Sequence, residues 1–426
     1  VEITQLYQLY LQYPSIQTDT RKIKQGDLFF ALKGPNFNGN QFVKEALTKG
    51  AAYAIVDEPI DGSNDRIIVT TNALSTLQNL AKHHRQQFNI PFITITGSNG
   101  KTTTKELVST VLASHFTTYT TQGNLNNHIG VPLTILSIPL NAQMAVIEMG
   151  ANHQKEIESY CTYTLPTHGI ITNCGKAHLE GFGGEEGIKK GKSELYDYLK
   201  KNNGTAFVYW DYDYLQTMSI GIPNIIKYGT IDGIVTGKVH SNNPFLAVSI
   251  NKETPLSTIY TQLVGDYNLP NILCAVTIGK YFKVPDEKIK TAIENYIPSN
   301  SRSQLLEKGN NKIILDAYNA NPTSMKAAIE NFAAIVTDKK KIIFIGAMME
   351  MGEQSIQEHE QIIALLQQFK WEQVILVGGD FKRVQHPFLY MNNSIEAKAY
   401  YSEQKFENSF CLIKGSRSIQ MEKILD

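Results

Sequence analysis

The chain has 426 residues, 42% hydrophobic and 19% charged, enough apolar material for several cores and a length that suggests about three domains. Forty basic residues balance forty acidic ones, so no overall field draws the molecule to nucleic acid or to an anionic membrane, and neither is an expected partner. Cys161, Cys174, Cys274 and Cys411 are scattered without a C-x-x-C pair, which argues against a disulfide framework or zinc site and for a reducing compartment.

The opening VEITQLYQLY has neither the basic start nor the apolar stretch of a signal peptide, so none is expected. DLFFAL (27–32) predicts a strand, and the Gly- and Asn-rich KGPNFNGN after it a loop. In QFVKEALTKG, Phe42, Val43, Ala46 and Leu47 have helical spacing, with Gly50 placed to end the helix. AAYAIVD and RIIVT read as strands, and a helix over 73–87 leads out of this small α/β unit.

FITITG then opens a second unit. Its helix begins near Lys101 and carries Leu107, Val108, Val111 and Leu112 on one face. From Leu107 to Ile147 there is no Asp, Glu, Lys or Arg, but asparagines and prolines interrupt the stretch, so no membrane span is expected. MAVIEMG (144–150) and HGIITNCG (168–175) are further strands ending in glycine, which predicts a mostly parallel sheet with its site at the carboxyl edge. NYIPSNSRSQ reads as a polar linker closing this unit near residue 297. The last unit alternates again: KIILDAY, a helix from about Thr323, KKIIFIGAM, a helix from about 355, QVILVGG and FCLIKGS. The basic run Lys339–Lys341 enters a strand and is expected to be solvated.

The loop after FITITG carries the chemistry. The usual phosphate loop is G-x-x-x-x-G-K-[ST], but here Ile95 stands five residues before Gly100, and the glycines are Gly97 and Gly100. Phosphate binding needs inward backbone N–H groups, a helix N-terminus and a bridging lysine, and the shorter loop can supply all three. Gly97, Ser98, Asn99 and Gly100 form the cradle, Lys101 bridges phosphates, and the Thr102 hydroxyl is placed for Mg²⁺. Thr102, Thr103 and Thr104 are poor first-turn helix formers, which side-chain oxygens facing phosphate and metal explain. Neither D-x-x-G nor N-K-x-D occurs, which argues against a GTPase switch, and the kinase signatures are missing.

TGSNGKTTTKE resembles the ATP loop of the Mur ligase family, which builds the peptide stem of peptidoglycan and uses this short form. The resemblance continues through TDTRKIKQGDLFFALKG (18–34), GNLNNHIGVPLTIL (123–136), EMGAN (148–152), AHLEGFGGEEGIKKGKSEL (177–195), DAYNANPTSMKAA (316–328) and IKGSRS (413–418). It is nearest to the branch that joins D-alanyl-D-alanine to UDP-N-acetylmuramoyl-tripeptide. Folylpolyglutamate synthetases usually continue Gly-Lys-Gly-Ser, and the diaminopimelate-adding relatives carry an Asp-Asn-Pro-Arg motif absent here. The resemblance implies an α/β fold of three domains: a UDP-sugar-binding unit at 1–85, a P-loop ATPase unit at 86–297 and a Rossmann-like unit at 298–426. It also implies ATP and Mg²⁺, a cytoplasmic location and a monomer. A ligase with another acceptor, or a non-catalytic nucleotide-binding homologue, are the alternative readings.

Residue roles follow from the same resemblance. Glu148 and His178 are expected to hold Mg²⁺, joined by Lys192 as a carbamate; without the resemblance, IKKGKSELYDYLKK reads as a solvated helix face, and Lys189 and Lys190 are nearby alternatives. Asn268 and Asn271 match adenine-reading positions, with helix capping as the alternative. Arg302 is expected at the γ-phosphate and Asp316 at the ribose, flanked by Tyr318, Asn319 and Asn321. Thr20, Arg21, Asn36 and Phe37 match the uridine-diphosphate region, while Asn124 and Asn127 join Asn321 among the expected substrate contacts. One departure stands out: IGAMMEMG carries Ala347 where that branch commonly has aspartate, which Glu350 or Glu353 is placed to replace.

Overall fold

In a computed structural model, the described residues are 2–61, 64–251, 256–299 and 301–426. Asn300, within the expected linker, lies outside them. Each of three sheets anchors one unit. The first has four parallel strands in the order Ile16–Gln17, Leu28–Phe30, Tyr53–Val56, Ile67–Val69.

The first helix, Ile3–Gln12, was not expected from the sequence. Leu6, Tyr7 and Tyr10 bury one face of it against the helix Ala73–Arg85, where the Tyr7 hydroxyl meets His84 Nδ1 at 3.0 Å. That second helix docks the first unit on the next. Arg85, at its end, donates through Nε to the Thr164 carbonyl (2.9 Å) and lies 3.8 Å from the centre of the Phe92 ring.

The central sheet has nine strands. Phe92–Thr96 sits between Met144–Glu148 on one side and His168–Ile171 on the other, parallel to both. The chain winds first to the edge strand Thr118–Thr120 and back, then reverses through Thr205–Tyr209 and Asn224–Gly229. Such a reversal opens a crevice at the carboxyl ends of the strands. Val235–Asn242, Phe245–Ile250 and Thr258–Val264 extend the sheet, and the last two pair antiparallel, an extension absent from the sequence reading. Leu107, Val108, Val111 and Leu112, on the helix Lys101–Ala113, are fully buried as their spacing predicts. Each such burial stabilises by about 1.5–3 kcal/mol.

The last sheet has six strands, of which Asn311–Asp316, Ser409–Lys414, Lys340–Gly346, Gln373–Val377 and Leu389–Met391 run parallel in that order. Gln304–Lys308 pairs antiparallel at its edge. All four cysteines are free, and among the described residues no helix is long and apolar enough to cross a membrane.

Candidate active site

The short loop is built against the neighbouring strand end. The Ser98 amide donates to the Asn173 carbonyl (2.9 Å) and its hydroxyl to the Gly175 carbonyl (2.7 Å). The Asn99 amide donates to Asn173 Oδ1 (3.0 Å), while the Asn99 carbonyl accepts from the Thr172 hydroxyl (2.6 Å). Both glycines are structurally required. Gly97 has φ +138°, and a Cβ there would run into Thr172; Gly100 has φ +78°, with Asn271 Oδ1 2.8 Å from where a Cβ would stand. Gly97→Ala is therefore expected to destabilise the protein by roughly 1–3 kcal/mol through backbone strain and crowding. Thermal denaturation beside phosphate release checks this: a variant that matches the natural chain in both would show that the loop does not need its shape.

Lys101 opens the helix behind the loop and folds back on it, donating to the Gly97 and Ser98 carbonyls at 2.7 and 3.0 Å. Enclosure pushes its ammonium down to about 8; Glu148 acts against the shift and Arg302 adds to it. Glu148, 1% exposed, accepts from the Thr102 hydroxyl (2.8 Å) and from Asn126 Nδ2 (2.7 Å). Thr104 departs from the expectation for the threonine run: its buried hydroxyl donates to Asn271 Oδ1 (3.0 Å), away from the cradle. Asn271 in turn donates to Asn268 Oδ1 (2.9 Å), and Asn268 to the Val264 carbonyl (3.0 Å). The capping alternative fails for Asn268, which precedes the helix Leu269–Tyr281 without a side-chain cap bond.

A cavity of about 980 Å³ joins these groups to the last unit. Ser98, Asn99, Gly100, Lys101, Thr102 and Thr103 line it with Asn124, Asn127 and Glu148. His178, Asn268 and Asn271 follow, and across from them stand Arg302, Asp316, Tyr318 and Asn319. The Arg302 guanidinium carbon is 3.4 Å from the centre of the Tyr318 ring. Asp316 accepts from Lys414 Nζ at 2.6 Å. His178 Nδ1 is hydrogen-bonded to Glu350, whose carboxyl that bond holds below the usual range. Glu350 is thereby committed to His178, and Ala347 is fully buried.

Lys192 lies deeper than its neighbours. The helix Glu185–Lys201 buries Ile188, Gly191, Lys192, Leu195, Tyr196 and Leu199, so the solvated-face reading is wrong for this side. Lys189 instead pairs with Glu186 (2.7 Å) and Lys190 is exposed. Lys192 donates to the Ala151 carbonyl (3.1 Å) and sits 4.8 Å from the Phe182 ring centre. Burial first, and Lys101 second, push its ammonium down to about 7.

Asn321 and the expected residues of the first unit stand apart from the cavity lining. Asn321 is the N-cap of the helix Pro322–Ala334 and donates across the unit boundary to Asn99 Oδ1 (2.7 Å). Asn127, besides lining the cavity, accepts from the Gly130 amide (2.8 Å). Thr20, Arg21, Asn36 and Phe37 belong to the first unit; Arg21 is exposed and paired with Asp19 (2.7 Å), and Phe37 is 54% exposed. The sequence reading gave no role to Asn126 or Lys414. Asn126 was one of three asparagines in GNLNNH, and Lys414 sat inside IKGSRS.

Fold and site together define a phosphate-loop enzyme of three α/β domains whose cavity is lined in part by its last domain. Three family models match in succession: Mur ligase family, catalytic domain, over 12–96; Mur ligase middle domain over 95–279; and Mur ligase, glutamate ligase domain, over 301–407. The chain belongs to the Mur ligase family. It is 32% identical to the UDP-N-acetylmuramoyl-tripeptide–D-alanyl-D-alanine ligase of Bacillus subtilis (strain 168), covering 96% of this chain and 92% of that protein. The ligase of the same name from Escherichia coli (strain K12) is 31% identical over 96% and 92%. Among solved structures, MurF from Acinetobacter baumannii superposes with a TM-score of 0.86, at 31% identity and covering 96% of this chain and 92% of that one. MurF ligase from Thermotoga maritima, solved with ADP, also gives 0.86, at 26% identity over 97% of both chains.

Proposed function

We propose that the protein joins D-alanyl-D-alanine to UDP-N-acetylmuramoyl-tripeptide, driven by ATP, in peptidoglycan precursor synthesis. The observation that carries this is one cavity shared by Lys101, Glu148 and Arg302, in a chain similar over nearly its whole length to ligases of that name. The tripeptide's terminal carboxylate attacks the γ-phosphate of ATP, giving an acyl phosphate and ADP. Lys101 and Arg302 offset the charge that develops on the transferred group. The amine of the dipeptide then attacks the acyl carbon, and phosphate leaves. Closing the last domain over the cavity excludes water that would compete for the acyl phosphate.

In this reading Asn268 and Asn271 face the adenine and Asp316 the ribose, while Thr20, Arg21, Asn36 and Phe37 receive the uridine diphosphate. The domains divide at 1–85, 86–297 and 298–426. Mg²⁺ fits the donor set: Thr102 and Glu148 present oxygens 2.8 Å apart on the cavity wall. Among the described residues no cluster of three or more His, Cys, Asp or Glu gathers as a ready cage, in keeping with an ion that keeps most of its water. Thr102 and Glu148 would hold it, with His178 and a carbamylated Lys192 nearby, and when bound it would offset phosphate charge. The protein acts as a cytoplasmic monomer.

Phosphate release from ATP and Mg²⁺, with UDP-N-acetylmuramoyl-tripeptide and with or without D-alanyl-D-alanine, tests the reading. Release that needs both and yields the pentapeptide is expected. Turnover that ignores this dipeptide but answers to another amine would move the protein to another acceptor.

A further inference from the structure

The motif IKGSRS ends the strand Ser409–Lys414, and the mechanism above uses neither of its cations. Lys414 is 1% exposed and neutralised by Asp316, so its charge is already spoken for. Arg417 differs. It is exposed, and among the described residues it has neither a carboxylate partner nor a side-chain hydrogen bond. Its guanidinium instead faces the Tyr318 ring, whose centre lies 5.1 Å from the guanidinium carbon.

Tyr318 therefore carries two guanidinium groups, Arg302 at 3.4 Å and Arg417 at 5.1 Å. Their surroundings separate them. Arg302 lines the cavity and is close enough to Lys101 to depress its proton affinity, which puts it on the phosphate side. Arg417 is outside the lining, one ring away, on the domain that closes the site.

An acceptor dipeptide has this same polarity. Its amine must reach the acyl carbon beside the phosphate, while its carboxylate lies up to ~7 Å away at the far end of two residues. A carboxylate there needs a cation, and a planar guanidinium can hold both oxygens at once. We propose that Arg417, braced on Tyr318, anchors the C-terminal carboxylate of the acceptor dipeptide and makes the enzyme select acceptors that carry one. This rests on the proposed ligase reading.

The test compares D-alanyl-D-alanine with its C-terminal amide as acceptors, using the full chain, ATP, Mg²⁺ and UDP-N-acetylmuramoyl-tripeptide. The natural chain is expected to favour the acid over the amide by about 10- to 100-fold in kcat/KM, as loss of a charge-assisted hydrogen-bonded pair predicts. In Arg417→Gln the ratio should fall to about one through a rise in the KM for the acid, with the KM for ATP unmoved; Arg417→Lys should keep part of the preference. Because Arg417 is exposed, neither substitution opens a core. An undiminished ratio in Arg417→Gln, or a loss that appears in the KM for ATP or tripeptide instead, would overturn the inference. A natural chain that turns over neither dipeptide, yet works with another amine, would refute the ligase reading itself, an outcome visible before any variant is made.

Discussion

Lys192→Met is expected to give a protein that is more heat-stable than the natural chain at pH 6 and at least about 100-fold slower in ligation. The stability half follows from burial. Lys192 is 1% exposed, yet its contacts are a carbonyl at 3.1 Å and a ring face at 4.8 Å, and among the described residues no carboxylate stands at salt-bridge distance. Its ammonium, pushed down to about 7, is therefore held at a cost. The unfolded chain keeps that proton until about pH 10.4. Between pH 7 and that value the unfolded state binds a proton the folded state lacks, so stability rises with pH across the window. Below pH 7 the penalty is fully present. Methionine fills similar space without charge, so its advantage should be largest at pH 6, on the order of 3 kcal/mol, and vanish towards pH 10. Thermal denaturation from pH 6 to 10, in buffer freed of bicarbonate, measures it. An advantage that does not vary with pH would mean that Lys192 does not titrate as argued.

The activity half has a different origin. A neutral amine is the form that adds carbon dioxide, and a proton affinity near neutrality makes it available without another base. The carbamate would turn a buried cation into an anion next to the phosphate loop. If the variant ligates as fast as the natural chain, the carbamate role is gone and the burial is only structural.

What could be read from the sequence divides along a physical line. The phosphate loop was legible because all its requirements are local: a strand, two glycines at positive φ, a lysine and a helix start within ten residues. The parallel strands were legible for the same reason, as short apolar runs closed by glycine. Lys192 was not. Five lysines decorate the helix Glu185–Lys201, and which of them turns inward depends on Gly191 fitting under the Phe182 ring, a tertiary fact. The resemblance singled out the lysine that is buried, where charge pattern alone gave a solvated face.

The misses have the same cause. Lys414 was hidden because its partner Asp316 is 98 residues away, joined only when their strands pair side by side. Asn126 was passed over for Asn124 and Asn127, since only the fold puts Glu148 beside it. Ile3, Leu6, Tyr7 and Tyr10 did have helical spacing, so the first helix was legible and went unread. Thr20, Arg21, Asn36 and Phe37, expected at the uridine diphosphate, share no cavity lining with Lys101, so the geometry around the phosphate loop gives no signal for them.

Glu148→Gln should keep the fold and lose the reaction. The side chain makes two bonds in the site, accepting from Thr102 at 2.8 Å and Asn126 at 2.7 Å. A glutamine can keep both: its oxygen accepts from Asn126, while its amide donates to the Thr102 hydroxyl, which can accept as well as donate. Little change in thermal stability is therefore expected, within about 1 kcal/mol. Charge is what disappears. Glu148 is the group that supports the proton on Lys101 against burial and Arg302. Without it, Lys101 releases its proton below about 8, and the basic limb of the pH–rate profile should move to lower pH. Loss of the carboxylate also raises the Mg²⁺ concentration needed for half-maximal rate, if the metal binds as proposed. Together these should lower kcat by about 100- to 1,000-fold. Rates measured against pH and Mg²⁺, beside a melting curve, separate the parts. A slow variant with an unmoved pH limb and unmoved Mg²⁺ requirement would mean that Glu148 serves the loop's shape alone, and the charge argument for the whole cavity would fall with it.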